Sequence, residues 1–144
     1  MKIISLTQPY ATAIALGLKH WETRSWYTSY RGLLGIHAAK GFPTWAKVFA
    51  REEYLAGRLP QVPALIPVGA IVAMVNMADC QPTENLIDDI SELERRYGDY
   101  LDGRFAWKLE DNRALKEPVP AKGALGLWSP GPELEQAIME QLAA

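Results

Sequence analysis

The sequence predicts a small α+β fold: about six short strands with separate flanking helices, in one domain covering residues 1–144. Three observations lead there. The chain has the length of one domain, and 49% of its residues are hydrophobic, enough apolar material for a single core. Its strand-like segments are short and bounded by Gly, Pro, Asn and Asp. Its helical segments stand apart from the strands instead of alternating with them one for one, which argues against a βαβ sheet. A small closed or nearly closed barrel with helices at its ends is the natural way for such a set of strands to remove its edges.

Taken in order, Ile3, Ile4 and Leu6 suggest a first strand. Thr7 can cap a helix of about ten residues that enters through Pro9 and stops at Gly17, where glycine tolerates a left-handed conformation. Lys19 to Tyr27 reads as a second strand of mixed polarity, and Thr28 to Gly32 as a turn. Leu33 to Ala39 follows as a third strand with Leu34, Ile36 and Ala38 on one face. A helix is expected from Trp45 to Ala56, with Val48, Phe49 and Leu55 at helical spacing, and then an irregular connector marked by Pro60, Pro63 and Pro67. Gly69 to Ala78 is almost continuously apolar, as a strand buried on both faces would be, and Asp79 and Cys80 close it. Thr83 can start an acidic helix to about Tyr97. Arg104 to Leu109 alternates as a strand, Asp111-Asn112-Arg113 reads as a turn, and Leu115 to Val119 leads on to Pro120. Leu125 to Trp128 is a last short strand, before a terminal helix capped by Ser129-Pro130-Gly131-Pro132.

Composition excludes several classes. No stretch is long and apolar enough for a membrane span, and the N-terminus runs straight into a strand pattern without the features of a secretory signal. A cytoplasmic protein is expected. Cys80 is the only cysteine, so no internal disulfide forms, and His20, His37 and Cys80 do not sit at metal-ligand spacing; neither metal nor cofactor is expected. The net charge of −2 is not that of a strongly basic nucleic-acid binder. It hides an asymmetry, however. Residues 1–60 carry 8 Lys+Arg against 3 Asp+Glu, and residues 61–144 carry 7 against 14. Either acidic helices simply lie late in the chain, or the first half supplies a face for anionic ligands.

The segment with most chemical character is Gly17-Leu18-Lys19-His20-Trp21-Glu22-Thr23-Arg24-Ser25-Trp26. Lys19 follows a helix stop and so sits at the mouth of whatever that helix covers. On an extended strand Glu22 and Arg24 point to the same side, and a turn after Gly17 would let Lys19 join them. Two roles are open: Glu22 can tie Lys19 and Arg24 into internal ion pairs, or the excess of cations can hold an anionic ligand. Tyr10, Trp26 and Tyr27 offer aromatic faces nearby, Arg31 and Lys40 add positive charge, and His37 and Asp79 sit on neighbouring strands.

The motif Gly-x-Lys-x-x-Glu-x-Arg, met here by Gly17, Lys19, Glu22 and Arg24, resembles that of the ASCH domain family, and the chain is most similar to its coactivator-type branch. Gln8-Pro9-Tyr10, Arg31 through Lys40, Gly69 through Cys80, and Leu127-Trp128 resemble the family's flanking segments. The resemblance implies a PUA-like β-barrel that binds nucleic acid, above all RNA, or a modified nucleoside. Lys19, Glu22, Arg24, Tyr10, Trp26, Tyr27, Arg31, His37 and Lys40 are the residues expected to contact it. The alternative is a small hydrolase acting on acylated cytidine or on RNA. Lys19 would then be the central catalytic residue, with Glu22 and Asp79 as carboxylates; Glu22 stands where the acyl-cytidine hydrolases have a threonine. A module that docks a protein partner through its acidic helix is a third possibility.

Overall fold

In the computed structural model, which describes residues 1–144, six strands form one curled, half-barrel sheet flanked by four α-helices. The strands are β1 (Lys2–Leu6), β2 (Trp21–Arg24), β3 (Gly32–Ala38), β4 (Ala70–Pro82), β5 (Phe105–Pro120) and β6 (Leu127–Trp128). Their order across the sheet is β2-β5-β4-β3-β1-β6. The helices are α1 (Tyr10–Ala15), α2 (Thr44–Leu55), α3 (Glu92–Arg96) and α4 (Pro132–Ala143). The α+β class and the six strands match the sequence-based expectation. The sheet is curled but open, with β2 and β6 at its two edges.

β4 is the spine. Its run Ala70 to Val75 is buried throughout, because the strand pairs with β3 on one side and β5 on the other and is covered on both faces. One face carries the main core, where Ile4, Leu6, Leu34, Ile36, Val75, Trp107 and Leu109 meet Ile14 of α1. The other face holds Ile3, Ile71, Met74 and Leu115 against Ile138 of α4. The alternation of Ile3 and Ile4 between the two clusters follows from the period of two along a strand.

Several elements differ from the expectation, each for a physical reason. α1 begins at Tyr10, and Gln8, not Thr7, satisfies its first turn. The fully buried Gln8 accepts from the Thr12 N–H at 3.0 Å and donates to the Pro67 carbonyl at 2.8 Å. Gly17 ends this helix at φ +76°, a conformation few other residues adopt cheaply. α2 buries Ala46, Ala50 and Glu53, while Val48 and Leu55 face solvent; small side chains let the helix approach closely. β4 runs through Asp79 and Cys80 to Pro82 instead of closing there. The expected acidic helix is broken: a single turn at Thr83–Asn85 is separated from α3, which Ser91 caps by accepting from the Glu94 N–H at 3.1 Å. The Asp111-Asn112-Arg113 stretch is no hairpin turn. β5 continues through it, with Asp111 at φ +52° and three register shifts against β4 absorbing the extra residues.

His37 lies buried on the α4 side of the sheet. Its Nδ1 is 3.0 Å from the Ser5 Oγ and its Nε2 2.8 Å from the Ala121 carbonyl. Gly123 closes over this pair so tightly that a Cβ there would stand 2.8 Å from both His37 Cε1 and Ser5 Oγ. Gly123→Ala is therefore expected to cost about 1–3 kcal/mol of stability in urea unfolding. Gly41→Ala, which meets nothing within 4 Å, serves as the neutral control.

Candidate functional site

The Gly17 turn sends the chain back along the sheet edge, and Lys19 turns inward before β2 begins at Trp21. Its ammonium is 1% exposed and donates to the Trp21 carbonyl at 2.6 Å and the Tyr97 carbonyl at 2.9 Å. It also lies 3.5 Å from Glu22 Oε1. Glu22 Oε2 is 3.4 Å from Arg24 Nε, so the three charged residues of the motif converge on one carboxylate. Lysine was expected at an open mouth; it lies beneath one, sealed by β2 and the Tyr97 segment. No hydroxyl is among its partners.

Above this buried link opens a cleft of about 510 Å³. Ser5, Leu6 and Thr7 of the β1–α1 corner form one side, and Glu22, Thr23, Arg24, Ser25 and Trp26 form the floor. Tyr10 and Trp45 form an aromatic wall, and Arg96, Tyr97, Gly98, Asp99 and Arg104 close the far side. Of the residues the sequence singled out, the cleft brings together Tyr10, Glu22, Arg24 and Trp26, with Lys19 just below. The others lie elsewhere. Tyr27 is exposed with its ring against Phe105, and Arg31 donates to the Thr28 and Tyr30 carbonyls. Asp79, expected to close the central strand and to serve Lys19 as a carboxylate in the hydrolase reading, lies within β4 and stands 3.7 Å from Arg31. Lys40 is exposed beyond the end of β3, and His37 is held on the other face of the sheet.

Arg24 has two internal partners, the Ser5 carbonyl and the Glu22 carboxylate. One guanidinium N–H donates to the Ser5 carbonyl at 2.9 Å, while its buried Nε has no hydrogen-bond partner. A guanidinium carries five N–H donors, so most of this one remains free on the cleft floor. Arg96 and Arg104 were not singled out by the sequence. Arg104 donates to the Asp99 and Thr23 carbonyls, each at 3.1 Å, and lies 3.6 Å from the Asp99 carboxylate. Arg96 is set by Glu53 of α2, which is fully buried and accepts from Arg96 Nε at 2.7 Å and from Arg58 at 2.9 and 3.0 Å. Burial alone would raise the Glu53 carboxyl, but Arg58, the Tyr97 hydroxyl and Arg96 outweigh it and hold it down at about 2. The only sequence signal for this wall was the basic pair Arg95-Arg96 inside an otherwise acidic stretch.

The aromatic wall is continuous. Tyr10 stacks on Phe49 at 5.7 Å and leans on Trp45 at 6.4 Å, Phe49 meets Tyr97 edge-on at 5.5 Å, and the Arg96 guanidinium lies over the Phe49 ring. Burial, and then the nearby Glu22 charge, push the Tyr10 hydroxyl above its ordinary pKa, so it stays a neutral donor at physiological pH. Burial likewise raises the Glu94 carboxyl, which accepts from the His20 N–H behind the Lys19 link. No three His, Cys, Asp or Glu side chains come together in a set that could hold a metal ion. No helix is long and apolar enough to cross a membrane.

The model of the ASCH domain matches residues 4–118 of the chain. The chain belongs to the ASCH domain family. Mouse and human activating signal cointegrator 1 are each 25% identical to it over 142 residues, 96% of this chain. The chain spans about a quarter of the length of these curated relatives, 24% in each case. Among solved structures, the ASCH protein of Zymomonas mobilis matches with a TM-score of 0.61 at 17% identity, covering 96% of this chain and 93% of that one. A point mutant of the same Zymomonas mobilis protein matches with the same score and covers 96% of both chains. The likeness to these structures is one of fold, and it extends over the ASCH domain's sheet and helices together.

Two consequences can be measured. Lys19→Met leaves the Trp21 and Tyr97 carbonyls unpaired and the Glu22 charge less compensated, with an expected loss of about 3 kcal/mol in urea unfolding; a loss below about 1 kcal/mol would remove Lys19 as the organiser of the site. The Glu53 carboxyl titrates lower folded than unfolded, so its contribution to stability is full above the unfolded value of 4.5 and fades as pH falls toward 2. Melts of wild type and Glu53→Gln should differ by on the order of 2 kcal/mol at pH 6, and the difference should shrink from about pH 4 and vanish only below about pH 2.

Proposed function

We propose that this ASCH domain binds nucleic acid, RNA in particular, or a modified nucleoside in the cleft above the Lys19–Glu22–Arg24 link. The ASCH domain is a PUA-like fold, a class associated with RNA binding. The observation that carries the reading is the Arg24 guanidinium, with donors left free, beside Trp26 on the floor of a cleft walled by Tyr10 and Trp45. A planar donor fork beside aromatic faces suits a ligand with an anionic or carbonyl edge and a stackable ring. A volume of about 510 Å³ is in the range of small-molecule sites and leaves room for a base with its sugar. Glu22 and Asp99 supply acceptors, which a base with N–H groups can use and a bare phosphate cannot.

A hydrolase built on Lys19 would need that ammonium to reach a hydroxyl or a substrate, and its partners are two carbonyls and a carboxylate. Binding is therefore the function this geometry supports best. Fluorescence anisotropy with a labelled RNA oligonucleotide tests it. Arg24→Ala is expected to weaken binding about ten- to a hundredfold, as loss of a charged hydrogen bond does, with the salt slope falling by about 0.7. Unchanged affinity in a folded Arg24→Ala variant would reject the cleft as the binding site.

A further inference from the structure

We infer that the ligand of the cleft is a single strand several nucleotides long, and that the outer face of α2 is a second subsite along which that strand continues. The inference rests on the nucleic-acid reading of the cleft and narrows it from nucleoside to strand. A second groove, of about 590 Å³, lies on the other flank of α2. Thr44, Lys47, Val48 and Arg51 line it from the helix, and Val62, Pro63 and Ala64 from the proline-marked connector. The four helix residues are spaced i, i+3, i+4 and i+7, so they form one face of α2.

The charge on this face is unopposed. No acid is among the seven lining residues, and neither Lys47 nor Arg51 forms an ion pair, whereas Arg24, Arg31, Arg58, Arg96, Arg104 and Arg113 all do. The Lys47 ammonium rests 5.8 Å above the Phe42 ring and keeps its donors for solvent or a ligand. Lys47 and Arg51 are one helical turn apart, on neighbouring positions of the same face. Part of the positive excess of residues 1–60, which the cleft does not use, is therefore placed here.

Between these cations the surface is apolar: Val48 is 53% exposed and Val62 37%. Trp45 joins this groove to the cleft. It is 61% exposed, it belongs to the wall of the cleft, and it directly follows Thr44 of the groove. A strand with one base among Tyr10, Trp26 and Trp45 would cross this exposed indole and lay its next phosphates along Lys47 and Arg51. A cationic groove beside an aromatic face is how single strands are held without regard to sequence, and the exposed Trp45 is that face here. A duplex hides its base faces and cannot use Val48 and Val62, and a free nucleoside has no phosphate for the two cations.

The experiment compares a uridine mononucleotide with an oligouridylate of about eight nucleotides on wild type and on a Lys47→Ala/Arg51→Ala double variant. Both side chains are exposed and without carboxylate partners, so the variant should fold, which a thermal melt verifies. Wild type is expected to bind the oligonucleotide about tenfold more tightly than the mononucleotide. The double variant is expected to bind both alike, with the oligonucleotide salt slope lowered by about 1.4, the value for two phosphates on a single strand. Equal affinity of wild type for both lengths, or a double variant that keeps the gain, overturns the second subsite and leaves the groove to a peptide or to nothing. The cleft reading survives either result if Arg24→Ala still weakens the mononucleotide. Absence of binding by either nucleotide to wild type overturns both.

Discussion

A lysine removed from water holds this site together. Burying an ammonium is costly unless partners replace its hydration, and Lys19 is given two main-chain carbonyls and a carboxylate. Those partners come from β2 and from the segment after α3, so one charge joins elements that are far apart in sequence. Each partner depends on the others: without Lys19, Glu22 is a half-buried carboxylate left with Arg24 and the Thr23 N–H. The motif thus has a structural reason for its spacing. Gly17 makes the turn, Lys19 goes inward, and Glu22 and Arg24, two apart on a strand, share a side.

Glu53 plays a parallel part on the opposite wall. It has no exposure and two arginine partners, and it stays ionised because those cations more than offset the cost of burial. Arg96 is thereby held between Glu53 and the Phe49 ring, at the rim of the cleft. Both walls therefore have the same construction, a buried charge that fixes an arginine reaching the surface. Fixing a guanidinium in advance lowers the entropy lost when a ligand binds it.

What the sequence revealed and what it concealed follow from the range of the interactions involved. The Gly17 stop was legible because a left-handed residue is a local demand. β4 was legible because a doubly covered strand must be apolar along its length. The convergence of Lys19, Glu22 and Arg24 could be anticipated from strand parity and one turn. The face of α2 could not. Val48 and Leu55 suggested the buried side, while the helix buries Ala46, Ala50 and Glu53, and Glu53 is made tolerable by an arginine 43 residues away. Asp111 to Arg113 has the composition of a turn, yet Asn112 is retained inside β5, where its amide donates to the Ile14 and Lys19 carbonyls and ties the strand to the end of α1. Arg96 and Arg104 join the cleft only through tertiary contacts: Arg96 from a stretch that reads as an acidic, solvated helix, Arg104 from the head of an alternating strand.

The balance of charge in the cleft bears on how it would select a ligand. Three arginines line it, but so do Glu22 and Asp99, and the whole chain carries −2. Such a site exerts weak long-range attraction on a polyanion compared with a strongly basic groove. Its selectivity must then arise at short range, from donors and acceptors fixed at set positions and from rings that accept a flat partner. Groups already held by internal partners discriminate well, because a ligand that fails to match them leaves buried polar atoms unpaired, and that penalty exceeds what a well-made hydrogen bond returns. Arg24 Nε is such a group, buried at 3.4 Å from the Glu22 carboxylate and making no hydrogen bond. On the proposed reading, a ligand that disturbs this pair without replacing its contacts meets that penalty, which makes the floor of the cleft, rather than its charged rim, the place where one base would be told from another.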